Sequence, residues 1–571
     1  MRLLFTTSIL CHSLLYSMAC RTHVTLETKD SAVENTDTAI DSPMDTGSSI
    51  DSATDSSIFV DSGDSAITPP PPPDLDGDGY GEDVDCDETN PAIHPNAPDF
   101  CADNMDMDCD GTDGSHLCDL AISPTYPAIH GTEAQGFYGS QVKLLPILPN
   151  NQEAFLITAN RNAGGKMFMY TSDLSNYTVD TDAEFVLEAP GSLLFGTNII
   201  GATPERHADI NGDGIDDIVL TAPTSDNSIG QVHVILGPIE TQGQNYAILQ
   251  DWIDTGKAYS LYMDSENDVG RAVELYDINA DGLMDVLVGS MRWDENGVNA
   301  GAVHIRFGTS TIPTDRNLQN SDIILLGEEA SDLFGGGIRY ITDVNGDGLD
   351  DLAISSHRAT SDGTDLIHAG KAYVFLAPFT NLVHISQASA VINGDMEYGY
   401  LAHTIRSIGD INGDGHADIF LGASGYMGTG AGFLIPGGNI ETCSVSDCAF
   451  ARIFGESQGD QFSRASAGLG DINHDGFDDF AIGAKTADVN GEDSGALYIY
   501  QGPLAGDYTA SMYHGRLAGE SANLQAGAGV ALLGDIDGGG TVDFIVGSRY
   551  NTDNVGIIYL VTGESFFGYD Q

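Results

Sequence analysis

A nine-residue segment rich in carboxylate and amide side chains occurs five times in the sequence, and its spacing suits a hard cation. Asp occupies positions 1, 5 and 9, Asn occupies position 3, and the Gly after position 5 lets the chain fold back. Together with the backbone carbonyl of position 7, these side chains form an oxygen cage of the kind that Ca²⁺ prefers. The predicted ligands of five Ca²⁺ ions are Asp209, Asn211, Asp213, Ile215 and Asp217; Asp277, Asn279, Asp281, Leu283 and Asp285; Asp343, Asn345, Asp347, Leu349 and Asp351; Asp410, Asn412, Asp414, His416 and Asp418; and Asp471, Asn473, Asp475, Phe477 and Asp479.

Two other interpretations of this segment fit the sequence less well than calcium binding. An EF-hand loop would carry Glu at position 12, whereas the first copy has Leu220 there, and apolar β-type runs flank each copy instead of helices. A hairpin turn whose Asp and Asn side chains cap the backbone would explain a single copy, but five complete ligand sets favour calcium. A sixth copy begins at Asp535 and has Gly539 at position 5, so its metal binding stays open.

The cation-binding segments recur about every 65 residues, which is typical of a repeat architecture. A second short element precedes each loop and occurs once more ahead of the first loop, so the sequence contains seven units. In the first unit, Pro146, Leu148, Asn150 and Ala154 fill the ligand positions, and no metal is expected there. The second elements are Phe137-Tyr138-Gly139, Phe195-Gly196, Val269-Gly270, Phe334-Gly335, Tyr398-Gly399, Phe462-Ser463 and Ala526-Gly527.

These elements, the loops and the trailing Gly422-Ala423 and Gly483-Ala484 pairs make residues 119–571 resemble the FG-GAP repeats of integrin α-subunit β-propellers. The resemblance implies an all-β fold, a seven-bladed β-propeller with four strands in each blade. It also implies calcium-binding loops between the first and second strands of a blade. The function that it implies is binding or adhesion to an extracellular protein or glycan.

The last unit is expected to need a strand from elsewhere in the chain. It supplies three predicted strands and then too few residues for a fourth. Residues 119–132 align with residues 513–520 and 324–328, which lead into following units. We therefore expect residues 119–132 to pair with the strand near residues 556–561 and to close the seventh blade. Closure would remove an exposed strand edge, and such edges favour aggregation.

Residues 74–118 form a predicted acidic, cysteine-containing module. Asp74, Asp76 and Asp78 alternate in a Gly-bent loop and are predicted to bind one or more further Ca²⁺ ions. The Cys/Asp pattern resembles a metal-binding module of bacterial surface proteins, and an acidic, solvated linker held by disulfides is the alternative. Four cysteines in an exported segment favour two disulfides, with three connectivities open. They are Cys86, Cys101, Cys109 and Cys118, and Cys443 and Cys448 are expected to form a further local disulfide.

The N-terminal residues have the composition of an export signal and a tether. Residues 1–20 contain Arg2, an apolar run and small residues, which predicts a signal peptide. Ala19 before Cys20 resembles a bacterial lipoprotein cleavage box, although Ser17 stands where Leu is usual, so lipidation of Cys20 and ordinary cleavage are both open. Residues 21–73 are rich in Ser, Thr, Asp and Pro and are predicted to be a disordered linker. The protein is therefore expected at the cell surface, as an outer-membrane lipoprotein, or outside the cell.

Charge and motif content limit the function. The chain has 21 Lys and Arg against 85 Asp and Glu, a net charge of −64, which excludes a nucleic-acid partner. The sequence has no catalytic or phosphate-binding motif that would predict catalytic residues. Three functions remain: a binding or adhesion module, a secreted polysaccharide- or ester-cleaving enzyme that uses the propeller cleft, and a passive surface component. Carboxylates, Arg and His on the central rim would favour the enzyme, and the lack of a ligand-sized concavity would favour the passive component.

Overall fold

The computed structural model describes residues 120–563 with short gaps, and residues 80, 84–87, 93 and 109 of the chain before them. The predicted signal peptide, Cys20, the linker and the ligands Asp74, Asp76 and Asp78 lie outside the described residues. Within the described part of the chain, no helix has the length and apolar character needed to cross a membrane. The gaps are residues 122–125, 134–135, 150–151, 161–163, 172–176, 190, 192–193, 203–205, 224–228, 242, 265–267, 380–381, 537, 539–541 and 549–555.

Seven β-sheets form a closed ring, each with a core of four antiparallel strands. The first strand of every blade contacts the first strands of both neighbouring blades, and blade 7 in turn contacts blade 1. First strands therefore line the axis of the ring. Second and third strands are rich in Val, Ile, Leu, Phe and Ala and are buried along nearly their whole length, because neighbouring blades cover both faces of each sheet. The predicted seven-bladed β-propeller is confirmed.

The first three blades follow one another directly along the chain. Blade 1 consists of Tyr138–Leu148, Gln152–Ala159, Lys166–Tyr170 and Phe185–Glu188. Blade 2 consists of Ile199–Ile200, Ile218–Ala222, Gln231–Ile235 and Ala258–Tyr262. Blade 3 consists of Val269–Tyr276, Asp285–Ser290, Ala302–Arg306 and Ile323–Leu326.

The next three blades repeat this order, and the seventh takes its outer strand from the start of the described chain. Blade 4 consists of Gly337–Ile341, Asp351–Ser356, Lys371–Phe375 and Ala390–Asn393. Blade 5 consists of Thr404–Gly409, Asp418–Ala423, Ala431–Ile435 and Ala451–Phe454. Blade 6 consists of Ala465–Gly470, Asp479–Ala484, Ala496–Tyr500 and Gly515–Ala518. Blade 7 consists of Gly529–Gly534, Asp543–Ser548, Ile557–Val561 and Ala128–His130.

The predicted ring closure is confirmed for part of residues 119–132. Ala128–His130 pairs antiparallel with Ile557–Val561 and completes blade 7. Leu120–Ala121 departs from the prediction, since it pairs in parallel with Gly515–Ala518 of blade 6. The segment therefore joins two blades, because its first part lies on the outer edge of the preceding sheet.

Parallel strands of this kind recur around the ring. In each case, the segment that leads into the fourth strand of one blade pairs with the outer strand of the preceding blade. Such cover shields backbone groups that an exposed edge strand would present to another chain. The other three parallel strands are Tyr246–Ile248 on blade 1, Cys443–Ser444 on blade 4 and Gly506–Thr509 on blade 5. The short helices are Leu249–Asp254, Val445–Cys448, Asp180–Asp182, Leu318–Asn320, Ile385–Gln387 and Tyr426–Gly428.

The Phe-Gly elements form the contacts between adjacent blades. Gly301, just before the third strand of blade 3, lies against the backbone of Phe334, and a Cβ atom there would overlap Phe334. Gly301 also has a φ of +87°, which favours glycine. Gly556 of blade 7 meets Tyr138 of blade 1 in the same way, so the contact continues across the closure.

The prediction that Tyr398-Gly399 is the fifth such element is wrong. Tyr398 is 48% exposed, whereas Leu401 is buried and packs against Gly370 at the equivalent contact. The Leu401 N–H also donates to the Ala369 carbonyl at 2.8 Å, as the Phe334 N–H does to Ala300. Leu401-Ala402 therefore occupies the position, and it has neither an aromatic residue nor a glycine, whereas every other element keeps at least one of the two.

Two of the disulfides considered from the sequence are present. Cys443 and Cys448 are bonded, as predicted. Cys86 is bonded to Cys109, which identifies one pair of the acidic module. Cys101 and Cys118 lie outside the described residues.

Candidate functional site

The predicted cation-binding loops connect the first and second strands of blades 2 to 6, in the position that the resemblance implied. In blade 4, for example, the loop lies between Gly337–Ile341 and Asp351–Ser356. The degenerate copy has the same position in blade 7. Blade 1 differs, because its first two strands run to Leu148 and from Gln152 and leave no room for a nine-residue loop.

Backbone N–H groups hold the loop carboxylates in place. In blade 4, Asp343 accepts hydrogen bonds from the N–H groups of Gly346 at 2.7 Å and Gly348 at 2.6 Å. Asn345 accepts one from the Asp347 N–H at 2.9 Å, and Asp347 accepts one from the Leu349 N–H at 2.9 Å. The side chains of positions 1, 3 and 5 are thereby folded into one turn.

The Asp at position 9 is fully buried and has a second role. In blade 4, Asp351 accepts hydrogen bonds from the N–H of Val344 at 3.1 Å and from the N–H of Ala377 at 2.8 Å. Val344 lies in the loop and Ala377 follows the third strand, so one carboxylate joins three parts of the blade. The same pair of bonds is made by Asp217, Asp285, Asp418 and Asp479.

The electrostatics of these buried aspartates fit a bound cation. Burial, with the charges of the loop carboxylates at positions 1 and 5, raises the pKa of each Asp, while the two backbone bonds oppose the shift. The ion pairs among the described residues include none of the ligand aspartates. A dication would offset two of the three carboxylate charges of each loop, and all of the donors are the oxygen atoms that Ca²⁺ or Mg²⁺ takes. The pKa is about 7 for Asp217, Asp285 and Asp418, about 6 for Asp351 and about 8 for Asp479.

The seventh loop keeps the position-9 contacts although it lacks the ligand at position 5. Asp543 is fully buried and accepts hydrogen bonds from the N–H of Ile536 at 2.8 Å and of Gly563 at 2.9 Å. This structural role was not predicted from the sequence. The sequence did contain a signal for it, since this copy keeps Asp543 at position 9 although it has Gly539 at position 5.

Adjacent loops are bonded to each other across the blade boundaries. The Asp209 carbonyl accepts a hydrogen bond from the Met284 N–H at 2.9 Å, and the Asp410 carbonyl accepts one from the Asp478 N–H at 3.0 Å. The position-7 side chain of one loop also covers position 4 of the loop before it, as His416 covers Gly346. Order in one loop therefore supports the next.

A second group of charged residues lies along the axis of the ring, on the first strands of blades 1, 3, 4 and 5 and shortly after the first strand of blade 2. Lys143, Arg206, Glu274, Arg339 and Arg406 come from blades 1 to 5 in turn. Solvent in the channel reaches the Lys143 side chain, but protein surrounds that channel, so Lys143 is shielded from bulk water. Burial and the positive charge of Arg406 lower the Lys143 pKa, with smaller effects of Arg339 and Arg206 in the same direction and an opposing effect of Glu274. The sequence analysis missed this cluster, because spacing within one strand gives no sign of which residues meet at an axis.

A cavity of about 530 Å³ opens where the first strands of blades 3 and 4 begin, at the opposite end from the metal loops. Three arginines line it, and Asp268 forms ion pairs with Arg271 at 3.4 Å and Arg292 at 3.1 Å. His357 and Arg358 complete the polar wall. Burial and then the charge of Arg358 lower the pKa of His357 to about 4, so this imidazole is neutral at pH 7.

Comparison with protein families matches the chain to the FG-GAP repeat at residues 207–235, 269–305, 407–435 and 463–500. These ranges lie in blades 2, 3, 5 and 6. Residues 85–114 match the Cu-binding MopE family, described as "Putative metal-binding motif". The ligands predicted at Asp74, Asp76 and Asp78 precede that match.

Curated relatives include several integrin α subunits. The chain is 29% identical over 216 residues to integrin alpha-V of Gallus gallus, which covers 36% of the chain and 19% of that protein. It is 31% identical over 244 residues to integrin alpha-5 of Xenopus laevis, covering 42% and 21%. It is 32% identical over 172 residues to integrin alpha-IIb of Mus musculus, covering 28% and 16%. The matches thus span about a fifth of the length of these relatives.

Repeat matches, relatives and a seven-bladed ring with loops in the expected places agree with one another. The chain is an integrin-alpha-like FG-GAP repeat β-propeller protein that carries a metal-binding motif ahead of the propeller.

Proposed function

We propose that this protein is an exported, calcium-stabilised binding or adhesion module for an extracellular protein or glycan. The observation that carries the proposal is the separation of two features at opposite ends of the first strands. Loops with complete oxygen ligand sets and buried carboxylates lie at one end, and a ligand-sized cavity lies at the other. Calcium would stabilise the ring and leave the cavity end free for a partner. A further ion at Asp74, Asp76 and Asp78 belongs to the same proposal.

Calcium binding should be measurable as a stoichiometry and as a gain in stability. At ~1 mM calcium and dissociation constants of ~10⁻⁴ to 10⁻³ M, each site contributes roughly 0.4–1.4 kcal/mol, so chelation should lower the Tm by several degrees. Replacing Asp213 or Asp347 with Ala should each remove one ion in calorimetric titration. Gly539→Asp, in the degenerate loop, is the reciprocal test and should add one. Unchanged stoichiometry in both Ala variants would reject the ligand assignment.

An enzyme that uses the same end of the ring is the second candidate. His357 and His403 lie with ring centroids 5.4 Å apart, near Arg358 and Arg464. Histidines and arginines at the central rim are part of what an enzyme would need there. Burial and the neighbouring positive charges lower the pKa of these histidines to about 4 and about 3, and such weak bases are poorly matched to proton abstraction at pH 7. The cavity also weighs against a passive surface component.

Arrays of glycans and cell-surface proteins would separate these functions. The full chain, loaded with calcium, should retain a subset of array members, and chelator should weaken retention because it destabilises the ring. Release of a cleaved product from a retained member would favour the enzyme. Absence of retention on both arrays, with calcium bound and the protein folded, would reject the binding proposal.

A further inference from the structure

Positive side chains are concentrated at the axis of a strongly acidic protein. The chain has 21 Lys and Arg and a net charge of −64. Nine of the cations lie on the first strands, shortly after the first strand of blade 2, or at the cavity end, and we call them the axial basic cluster. They are Lys143, Arg206, Arg271, Arg292, Arg339, Arg358, Arg406, Arg464 and Lys485.

Few carboxylates balance this cluster. Glu274 pairs with Arg206 at 3.1 Å, and Asp268 is shared by Arg271 and Arg292. Within the described chain, no ion pair is formed by Lys143, Arg339, Arg358, Arg406 or Arg464.

The two deepest arginines donate mainly to backbone carbonyls. Arg339 donates to Ile338 at 2.7 Å, and Arg406 donates to Ile405 at 2.7 Å and to Ser466 at 3.1 Å. A guanidinium that meets only neutral acceptors keeps its full charge and has free N–H groups to offer. The cluster therefore attracts an anion from outside the chain.

The cavity at the mouth of the channel has the size of a small-molecule site. Its volume of about 530 Å³ falls within the range of roughly 300–1,000 Å³ typical of ligand pockets. Arg271 and Arg292 are about half exposed, with side-chain exposures of 48% and 52%, so both can turn toward a ligand. Arg358 is exposed on the same wall.

An aromatic shelf lies next to Arg358, one of the residues that line this cavity. The ring of His368 lies 5.5 Å from that of Tyr398 and 6.0 Å from that of Tyr400, measured between centroids. The imidazole of His368 is hydrogen-bonded to the Arg358 carbonyl at 3.0 Å. This bond holds the shelf beside Arg358. Tyr398 is 48% exposed, so its ring can cover the apolar face of a ligand while its hydroxyl stays in water.

We propose that the cavity and its aromatic shelf bind an acidic sugar, with the carboxylate or sulfate group held by the axial basic cluster. This inference rests on the proposed function and names the ligand class of its site. Arginine forms bidentate bonds with carboxylate and sulfate oxygens, and a sugar ring presents the apolar face that the tyrosines can cover. A long polyanion or an acidic protein domain fits less well, because the rest of this protein would repel it over the range of a Debye length.

Calorimetric titration of the full, calcium-loaded chain with glucuronate, glucose 6-sulfate and glucose tests the proposal. Both acidic sugars, or one of them, should bind, and glucose should bind at least tenfold more weakly. Arg358→Gln and Arg292→Gln should each weaken acidic-sugar binding about tenfold or more. Arg452→Gln is the matched control, since Arg452 pairs with Asp507 on the outer strands of blade 5, and it should change nothing. The ratio of the two acidic sugars identifies which anionic group the site takes.

Three results of the titrations would overturn the proposal, and failure of both acidic sugars to bind would be a fourth. One is equal binding of glucose and the acidic sugars, and the second is full retention of affinity in both arginine variants. The third is tighter binding of a short poly-glutamate peptide, which would point to an acidic protein segment. If array partners are retained with calcium while acidic sugars fail to bind, this inference alone is wrong. If nothing on the arrays is retained, the binding function itself is wrong.

Discussion

Deletion of residues 119–132 should convert the calcium-loaded protein into large, polydisperse species in size-exclusion chromatography with light scattering. The deletion removes Ala128–His130 from blade 7 and exposes the edge of Ile557–Val561. It also removes Leu120–Ala121 from the edge of blade 6. Two uncovered sheet edges then lie side by side, and such edges pair with other chains.

The closing segment also connects blade 7 to blade 1. The His130 N–H donates to the Thr178 carbonyl at 3.0 Å, and Thr132 donates from its N–H and its hydroxyl to Asp180 at 3.0 and 2.6 Å. Loss of the segment therefore breaks a bond between blades as well as a strand pair, so the ring loses both edge cover and closure.

A matched pair of point variants tests the contribution of the closing strand without deleting any residue. Ile129 is 3% exposed, so Ile129→Asp loses the burial of a large side chain, about 1.5–3 kcal/mol, and places a charge in the core. His130 is the next residue in the same strand, but it faces solvent, and His130→Asp should leave the Tm within a degree or two. Deletion of residues 21–73 should also leave the Tm unchanged. A monomeric protein of parental Tm after loss of residues 119–132 would contradict the closure.

Repetition in the sequence explains why the ring, its loops and its closure could be predicted. Seven copies of one pattern fix the strand order within a blade, and the missing strand of the last copy indicates what residues 119–132 must supply. The Phe-Gly element was assigned to the wrong residues in the one copy whose side chains do not follow the pattern. Leu401-Ala402 replaces the aromatic residue and glycine, and Ala402 adopts a φ of +60° that its residue type does not signal.

Contacts between blades outside the Phe-Gly elements and the metal loops carry no periodic signal, so they could not be predicted. The parallel pairing of Gly506–Thr509 with blade 5 depends on where a connecting segment passes the neighbouring sheet. The meeting of Lys143 and Arg406 at the axis likewise joins residues of blades 1 and 5. The two features on which ligand recognition depends, the cavity and the axial basic cluster, belong to this class.

Asp351→Ala should destabilise the calcium-loaded protein far more than Asp347→Ala, although both variants are expected to lose the same ion. Asp347 is exposed, and its loss removes one ligand from the loop. Asp351 is buried, and its loss also leaves the N–H groups of Val344 and Ala377 without an acceptor. Each buried unsatisfied donor costs about 1–3 kcal/mol, so the free energy of unfolding should fall by about 2–6 kcal/mol more. Urea denaturation at fixed calcium measures the difference, and Asp351→Asn, which keeps one acceptor oxygen, should lie between the two.

The seventh loop tests the same role of position 9 where the ligand set is incomplete. Asp543 has the burial and the two backbone bonds of Asp351, while Gly539 stands at position 5 of its loop. Asp543→Ala should therefore lower the free energy of unfolding by at least about 1–3 kcal/mol because one buried and one partly buried donor lose their acceptor, while the calcium stoichiometry stays at the parental value. Loss of an ion in this variant would mean that the seventh loop binds metal after all. Parental stability would mean that the position-9 bonds contribute little without calcium, and that the aspartates of blades 2 to 6 stabilise the ring only as ligands.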